Sequence, residues 1–229
     1  MHIVHRGNNH GACFFQEADH RRYLARLEEC AKRFDCEVHA YVLMTNHVHL
    51  LVSPALPTAI SWFMKRLAQD HAQYVNRTYR RTGAVWENRY YSSFVDSDSY
   101  LLRCYRYIES NPLRAGMVRH PAEYAWSSFR SNALGYPSSA LTEHGVYTSL
   151  GSTPETRQAA YRALFDIPLA EHELEIIRAA TRGGRAVGSI EFLEKLQREV
   201  GRCVVPSSRG RRREEEPGAE PGMGTVPMF

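Results

Sequence analysis

Along the first 130 residues the apolar positions repeat with two different periods, and the changes of period mark the elements. Residues 2–6, "HIVHR", read as a short strand, and "RGNNHG" as a polar, glycine-bounded turn. From about Ala18 to Phe34, Tyr23, Leu27, Ala31 and Phe34 recur at helical spacing, with Asp19 near the start where the helix dipole favours an anion. "CEVHAYVLM" and "HVHLLVS" predict two strands joined by a tight turn at Thr45 and Asn46. Pro54 and Pro57 close the second strand, and Thr58 is placed to cap a helix through Tyr79 with Ile60, Phe63, Met64, Leu67 and Val75 on its apolar face. A turn at Gly83 leads to a strand near residues 89–95. Asp96, Ser97 or Asp98 then caps a further helix, which Pro112 stops.

This order, β-α-β-β-α-β followed by a helix, is the split βαβ arrangement of ferredoxin- and RRM-like domains. It predicts an α+β fold with an antiparallel sheet, helices on one face and the other face open. Residues 1–130 are expected to form this domain. Residues 131–154, rich in Ser, Gly and Pro, read as a linker. Helices near 155–165, 170–181 and 189–200, with a turn over 182–188, predict a small helical domain within 155–205. It is either a DNA-contacting helix-turn-helix or a plain helical extension. Residues 206–229 hold too few apolar side chains to pack and are expected to be a disordered charged tail.

One feature of the hairpin is chemical. His47 and His49 are two apart on a strand and so project to the same side, while Val48, Leu50 and Val52 point to the other. Such a pair also arises by chance on a half-exposed strand, so it needs further groups before it means anything. The last predicted helix of the domain supplies them. Leu101, Cys104, Tyr105 and Ile108 form its packing stripe, whereas Tyr107 and Asn111, four apart, share another face. Two imidazoles and an Asn oxygen would make a three-ligand site with open positions, suited to Mg²⁺ or Mn²⁺. A tyrosine beside it would be a nucleophile, its phenol weak near neutral pH unless a divalent ion polarises the phosphate under attack. Of Tyr90, Tyr100, Tyr105 and Tyr107, helix geometry selects Tyr107: Tyr105 lies in the packing stripe, Tyr100 two turns from Asn111 and Tyr90 on the preceding strand.

The charge distribution points to the partner. Residues 1–130 hold 17 Lys and Arg against 12 Asp and Glu, whereas residues 131–229 hold 12 against 13. In the first segment the cations are nearly all arginine, whose planar fork suits phosphate, and tyrosines stand between them ("YVNRTYRR", "WENRYYSS", "RCYRYIES"). Arg6, Arg80, Arg81, Arg89, Arg103 and Arg114 are the candidate DNA contacts. The alternative for any one of these stretches is a solvated helix face. Five scattered cysteines without a Cys-x-x-Cys exclude a disulfide framework and a cysteine zinc site. No segment is long enough to span a membrane and no leader opens the chain, so a cytoplasmic, nucleoid-associated protein is expected.

"AYVLMTNHVHLL", "WENRYYSS", "CYRYIESNPLRAGMV" and "YAWSSF", in this order, resemble the REP-associated tyrosine transposases, a branch of the HUH single-strand transposases. The resemblance runs from Arg6 to about Phe129, and more weakly into the C-terminal helices. It implies the HUH fold, with His47 and His49 as ligands of a divalent metal, Mg²⁺ or Mn²⁺, Asn111 as the third ligand and Tyr107 as the attacking residue. It also implies cleavage and rejoining of single-stranded hairpin DNA, of the palindromic REP type, through a 5′-phosphotyrosine intermediate with a free 3′-OH, and a monomer more often than a dimer. Thr45 stands where the family commonly has Pro, a change that leaves the ligands untouched. A domesticated hairpin-binding protein, a rolling-circle initiator and an RRM-like RNA binder are the competing readings. The last gives the paired histidines no role.

Overall fold

The computed structural model describes residues 1–96 and 100–200, so Ser97, Asp98 and the tail expected over 206–229 lie outside the described residues. The strands are β1 (His2–Arg6), β2 (Cys36–Met44), β3 (His47–Pro54), β4 (Tyr91–Val95) and β5 (Ala186–Val187). The helices are α1 (Glu17–Arg33), α2 (Ala59–Thr78), α3 (Leu101–Glu109), α4 (Asn111–Arg114), α5 (Phe129–Leu134), α6 (Gly145–Thr148), α7 (Pro154–Ala163), α8 (Glu171–Gly183) and α9 (Ile190–Val200).

The strand order β2-β3-β1-β4-β5 is the split βαβ sheet with one strand added at its edge. β1 lies between β3 and β4 and is antiparallel to both, while β5 joins β4 in parallel. Thr45 and Asn46 make the tight turn, with Met44 opposite His47 and Leu43 opposite Val48. Strand alternation then sends Leu43, Val48, Leu50 and Val52 to one face, where Tyr23 and Leu27 of α1 and Phe63, Met64 and Leu67 of α2 bury them.

The opposite face was expected to stay open, and it does not. Ala40, Val42, Met44 and Leu51 pack there against Leu101, Cys104, Tyr105 and Ile108 of α3, Phe129 of α5, Tyr161 of α7 and Leu174 and Ile177 of α8. The cause is visible in β2, whose run "AYVLM" is apolar on both faces. Strands that read as near-continuous hydrophobic runs are covered on both sides.

The packing of the later segments has the same origin. Residues 131–154, read as a linker, place Ala140 in the first core and Tyr147 in the second. Of the helices expected as a small domain over 155–205, α7 and α8 share the core of the sheet instead of building their own. The turn expected over 182–188 contains β5, reached through Gly184 at φ 62°, a left-handed conformation that glycine adopts without strain.

Glu109, fully buried at the end of α3, ties these layers together. Its carboxyl accepts hydrogen bonds from Ser128 Oγ at 2.5 Å, Asn132 Nδ2 at 2.8 Å and Tyr161 Oη at 2.7 Å. Burial pushes its pKa up to about 7, against the pull of these three donors. Glu109→Ala removes the acceptor that three buried donors share and opens a void; Ser128 Oγ and Asn132 Nδ2 keep only longer bonds, to the Tyr41 and His39 carbonyls at 3.2 and 3.4 Å, and Tyr161 Oη keeps none among the described residues. We expect it to cost about 3 kcal/mol or more in urea unfolding; a loss under about 1 kcal/mol would show that the network does not hold α3 to α5 and α7.

Candidate active site

Alternation places His2, Val4 and Arg6 of β1, His47 and His49 of β3 and Tyr91 and Ser93 of β4 on the same side of the sheet. α3, α4 and α8 close over this patch. Between them lies a cavity of about 370 Å³ lined by residues that include Arg6, His47, His49, Tyr107, Asn111, Arg178 and Arg182. The two histidines expected on an open sheet face therefore sit at the floor of a pocket. His49 is buried and His47 half-buried.

His47 has a defined tautomer. The Asn46 amide donates from Nδ2 to the His10 carbonyl at 3.1 Å, which turns Oδ1 towards His47 Nδ1 at 2.7 Å. The ring must then donate from Nδ1, and Nε2 keeps its lone pair. The loop carrying His10 lies close because Gly7 has no side chain: a Cβ there would come within 2.1 Å of the Gly11 carbonyl oxygen. His49 Nδ1 meets His2 Nε2 at 2.9 Å, and the two rings lie nearly parallel, their planes 10° apart and their centroids 5.1 Å apart. Its Nε2 has no hydrogen-bond partner among the described residues.

Tyr107 stands over this floor, its ring centroid 5.8 Å from that of His49 and 5.6 Å from that of His2. Tyr105, only 1% exposed, packs in the core beside Tyr161 as its helical position predicts. Asn111 is not on a continuation of α3, which ends at Glu109; it opens α4 after a break at Ser110. Its Nδ2 donates back to the Tyr107 and Ile108 carbonyls at 3.1 and 3.3 Å, so Oδ1 is the end left to accept. Among the described residues no three His, Cys, Asp or Glu side chains are arranged to hold a metal. A third protein ligand beside His47 and His49 would therefore be of another type, and Asn111 lines the same cavity.

The expected arginines divide. Arg6 lines the cavity, and Arg114 lies over the Tyr107 ring at 4.4 Å while donating to the Tyr107 carbonyl at 2.8 Å. Arg103 is not brought there: it pairs with Glu173 at 2.9 Å and stacks on Tyr100. Arg89 lines a second cavity, beside Trp86 and Tyr90. Arg80 and Arg81 are exposed after α2, the latter over the Phe15 ring. Sequence reasoning missed His2, Arg178, Thr181 and Arg182. The spacing of Arg178, Thr181 and Arg182, three and then one apart on α8, was the available signal, since residues i, i+3 and i+4 share a helical face. The pKa of Arg178 is raised: burial opposes the charge, but the hydrogen bond to Glu171 at 2.7 Å and the attraction of Glu171 and Tyr107 outweigh it.

The imidazoles of the floor are neutral. Burial pushes His2 down to about 3 and His47 to about 4, and holds His49 well below the usual range, with nearby cations and imidazoles adding to each effect. The cations are Arg6, on the sheet face beside His47, and Arg178 and Arg182 of α8.

Residues 1–111, just under half of the chain, match the family model described as "Transposase IS200 like". Among solved structures the chain is similar to one described as "Structure of the REP associates tyrosine transposase bound to a REP hairpin". That likeness has 14% identity and a TM-score of 0.46, and it covers 63% of this chain and 84% of that one. No curated protein matches the chain.

Buried neutral histidines also set the acid limit of the fold. Burial lowers His2 to about 3 and His5, His39 and His71 to about 4, below the unfolded value near 6.5. A group whose folded pKa is depressed in this way stabilises the fold fully above the unfolded value, and that stability is lost as pH falls through the folded value. Each such group adds on the order of 1.4 kcal/mol per pH unit inside that window; Glu109, shifted the other way, opposes them. The melting temperature should therefore fall steeply between pH 6.5 and 4, and a flat profile over that range would contradict the buried, neutral state of these rings.

Proposed function

We take residues 1–111 as a member of the IS200-like transposase family and propose that this protein is a metal-dependent single-stranded DNA transposase. In this reading it cleaves and rejoins hairpin DNA of the REP type through a 5′-phosphotyrosine. The observation that carries the proposal is the meeting of His47, His49, Tyr107 and Asn111 around one cavity. The unprotonated Nε2 of His47, the unpartnered Nε2 of His49 and the Oδ1 of Asn111 suit a divalent ion with mixed N/O ligands, Mg²⁺ or Mn²⁺. Such an ion polarises the phosphate under attack and screens its charge.

The chain supplies the rest. Arg6, Arg178 and Arg182 line the cavity that would receive the scissile phosphate, and guanidinium groups hold phosphate oxygens bidentately. Tyr107 Oη attacks phosphorus and forms the tyrosine–phosphate ester as the bond to the 3′ oxygen breaks. The phenol proton passes to water, and the leaving oxygen takes a proton from water to become the free 3′-OH. Arg178 lines the same cavity as Tyr107, and its charge stabilises the phenolate that develops. Rejoining runs the same step backwards, with a 3′-OH attacking the phosphotyrosine. Because both histidines and the tyrosine come from one chain, a monomer suffices.

Tyr107→Phe keeps the ring and its packing but removes the attacking oxygen. We expect it to abolish the covalent adduct with a labelled hairpin oligonucleotide in Mn²⁺, while Tyr105→Phe retains it; an adduct peptide mapping to Tyr105 would overturn the mechanism. His47→Ala and His49→Ala should each lower cleavage by about 10²-fold or more, on the order expected for losing a metal ligand's electrostatic role, with hairpin binding kept. Asn111→Ala should cost less, as a single carboxamide oxygen is the weakest donor of the three. Equal cleavage by all three variants and the wild type would exclude the metal assignment. Hairpin affinity should also fall steeply as salt is raised, because each neutralised phosphate releases counterions; a salt-independent affinity would remove the arginine surface from the binding account.

A further inference from the structure

A chain of buried hydrogen bonds leads from His49 out of the sheet and into α8, a helix beyond the residues that match the family. Thr181 Oγ1 donates to the Ile177 carbonyl of its own helix at 2.8 Å. A hydroxyl has one hydrogen, so towards His2 Nδ1, 3.0 Å away, Thr181 Oγ1 is an acceptor. His2 must then carry its proton on Nδ1 and present a lone pair at Nε2. That lone pair lies 2.9 Å from His49 Nδ1, which in turn must donate. The proton of His49 is thereby held on Nδ1, and the lone pair is left at Nε2, the ring atom turned from the relay. Ser93 Oγ, 3.5 Å from Thr181 Oγ1, is the one further polar side chain recorded against the hydroxyl among the described residues. His2, His49, Ser93 and Thr181 are all buried, so water does not compete for these bonds.

We propose that Thr181 and His2 are positioning residues, and that this relay fixes His49 in the one tautomer able to ligate a divalent ion. The proposal rests on the metal reading of His47 and His49 and goes beyond it by assigning α8 a share in the site. The orientation originates in a backbone carbonyl, Ile177, whose acceptor character cannot be reversed. Its consequence is that β1 and α8 jointly determine ligand geometry, although neither supplies a ligand. His47 is fixed independently, by Asn46 and His10, so the two ligands respond separately to substitution.

The test reads the tautomer directly, in the full chain without metal. Long-range proton–nitrogen correlation of histidine-labelled protein should show His49 protonated at Nδ1 in the wild type. In Thr181→Val, which keeps the side-chain shape but offers no acceptor, the His49 proton should move to Nε2 in a substantial population. Thr181→Ser should restore the wild-type pattern. Mn²⁺ titration followed by electron paramagnetic resonance should show affinity weakened about 10-fold or more in Thr181→Val and recovered in Thr181→Ser, the range typical for loss of a group that orients a metal ligand. A wild-type His49 protonated at Nε2 overturns the relay and needs no variant to show it. Unchanged tautomer and unchanged Mn²⁺ affinity in Thr181→Val do the same. A wild type that binds no Mn²⁺ overturns the metal reading instead, and the relay is then judged on the tautomer alone.

Discussion

A strand that is apolar on both faces cannot leave either in water, and β2 is such a strand: Tyr41 and Leu43 turn to one side, Ala40, Val42 and Met44 to the other. Covering the first side uses α1 and α2, which the split βαβ order supplies in any case. The second side must be covered by segments further along the chain, and α3, α5, α7 and α8 are drawn onto it. The enclosed site is a product of this demand. At the end of the sheet where β1 and β3 carry Val4, Arg6, His47 and His49, the covering helices meet a floor that is largely polar. There they leave a cavity rather than a packed core.

Enclosure then sets the electrostatics. Imidazoles removed from water stay neutral at physiological pH, which is the state a metal ligand requires, and they lose that state only in acid. Arg6 rises from the same sheet face beside His47, and the other arginines of the cavity come from the helices above it, where their stems pack and their heads reach a polar neighbour. Arg114 illustrates the compromise, with its guanidinium against the Tyr107 ring and its Nη2 on a helix carbonyl. Neutral ring nitrogens below and guanidinium charge above are the two features on which the proposed binding of a divalent ion and a phosphate diester would draw.

The sheet was legible because its strands announce themselves locally. The hairpin, its two-residue turn and the facing of His47 and His49 away from Val48, Leu50 and Val52 all follow from alternation alone. Helix periodicity put Tyr105 in the packing stripe, where it is buried; Tyr107, read as lying off that stripe, is buried in the same core and also lines the cavity. The covered second face was not read, although "AYVLM" carried the signal, because the split βαβ pattern invites the expectation of an open sheet. His2 and Thr181 were beyond reach for a different reason: they meet across 179 positions, and no local periodicity encodes a contact of that separation. The linker over 131–154 was misread because Ser, Gly and Pro mark irregular backbone, not exposure. Tyr147 and Ala140 anchor that irregular chain to both cores.

The placement of Asn111 shows how a local break serves a distant geometry. A proline at 112 has no amide hydrogen, so the Ile108 carbonyl loses the donor an unbroken helix would give it. Asn111 Nδ2 supplies a replacement at 3.3 Å and reaches the Tyr107 carbonyl at 3.1 Å, while Arg114 Nη2 donates to the latter at 2.8 Å. The amide nitrogen is thus committed to repairing the end of α3, which leaves the oxygen of the carboxamide to accept. The dipeptide Asn-Pro therefore does two things at once: it stops the helix that carries Tyr107, and it orients the side chain four residues beyond that tyrosine. An Asp at 111 would offer an oxygen but no donor to the stranded carbonyls, and a Gln would have to reach back through one more methylene. The requirement for a donor to the helix end and an acceptor to the cavity is what selects a carboxamide of this length at this position.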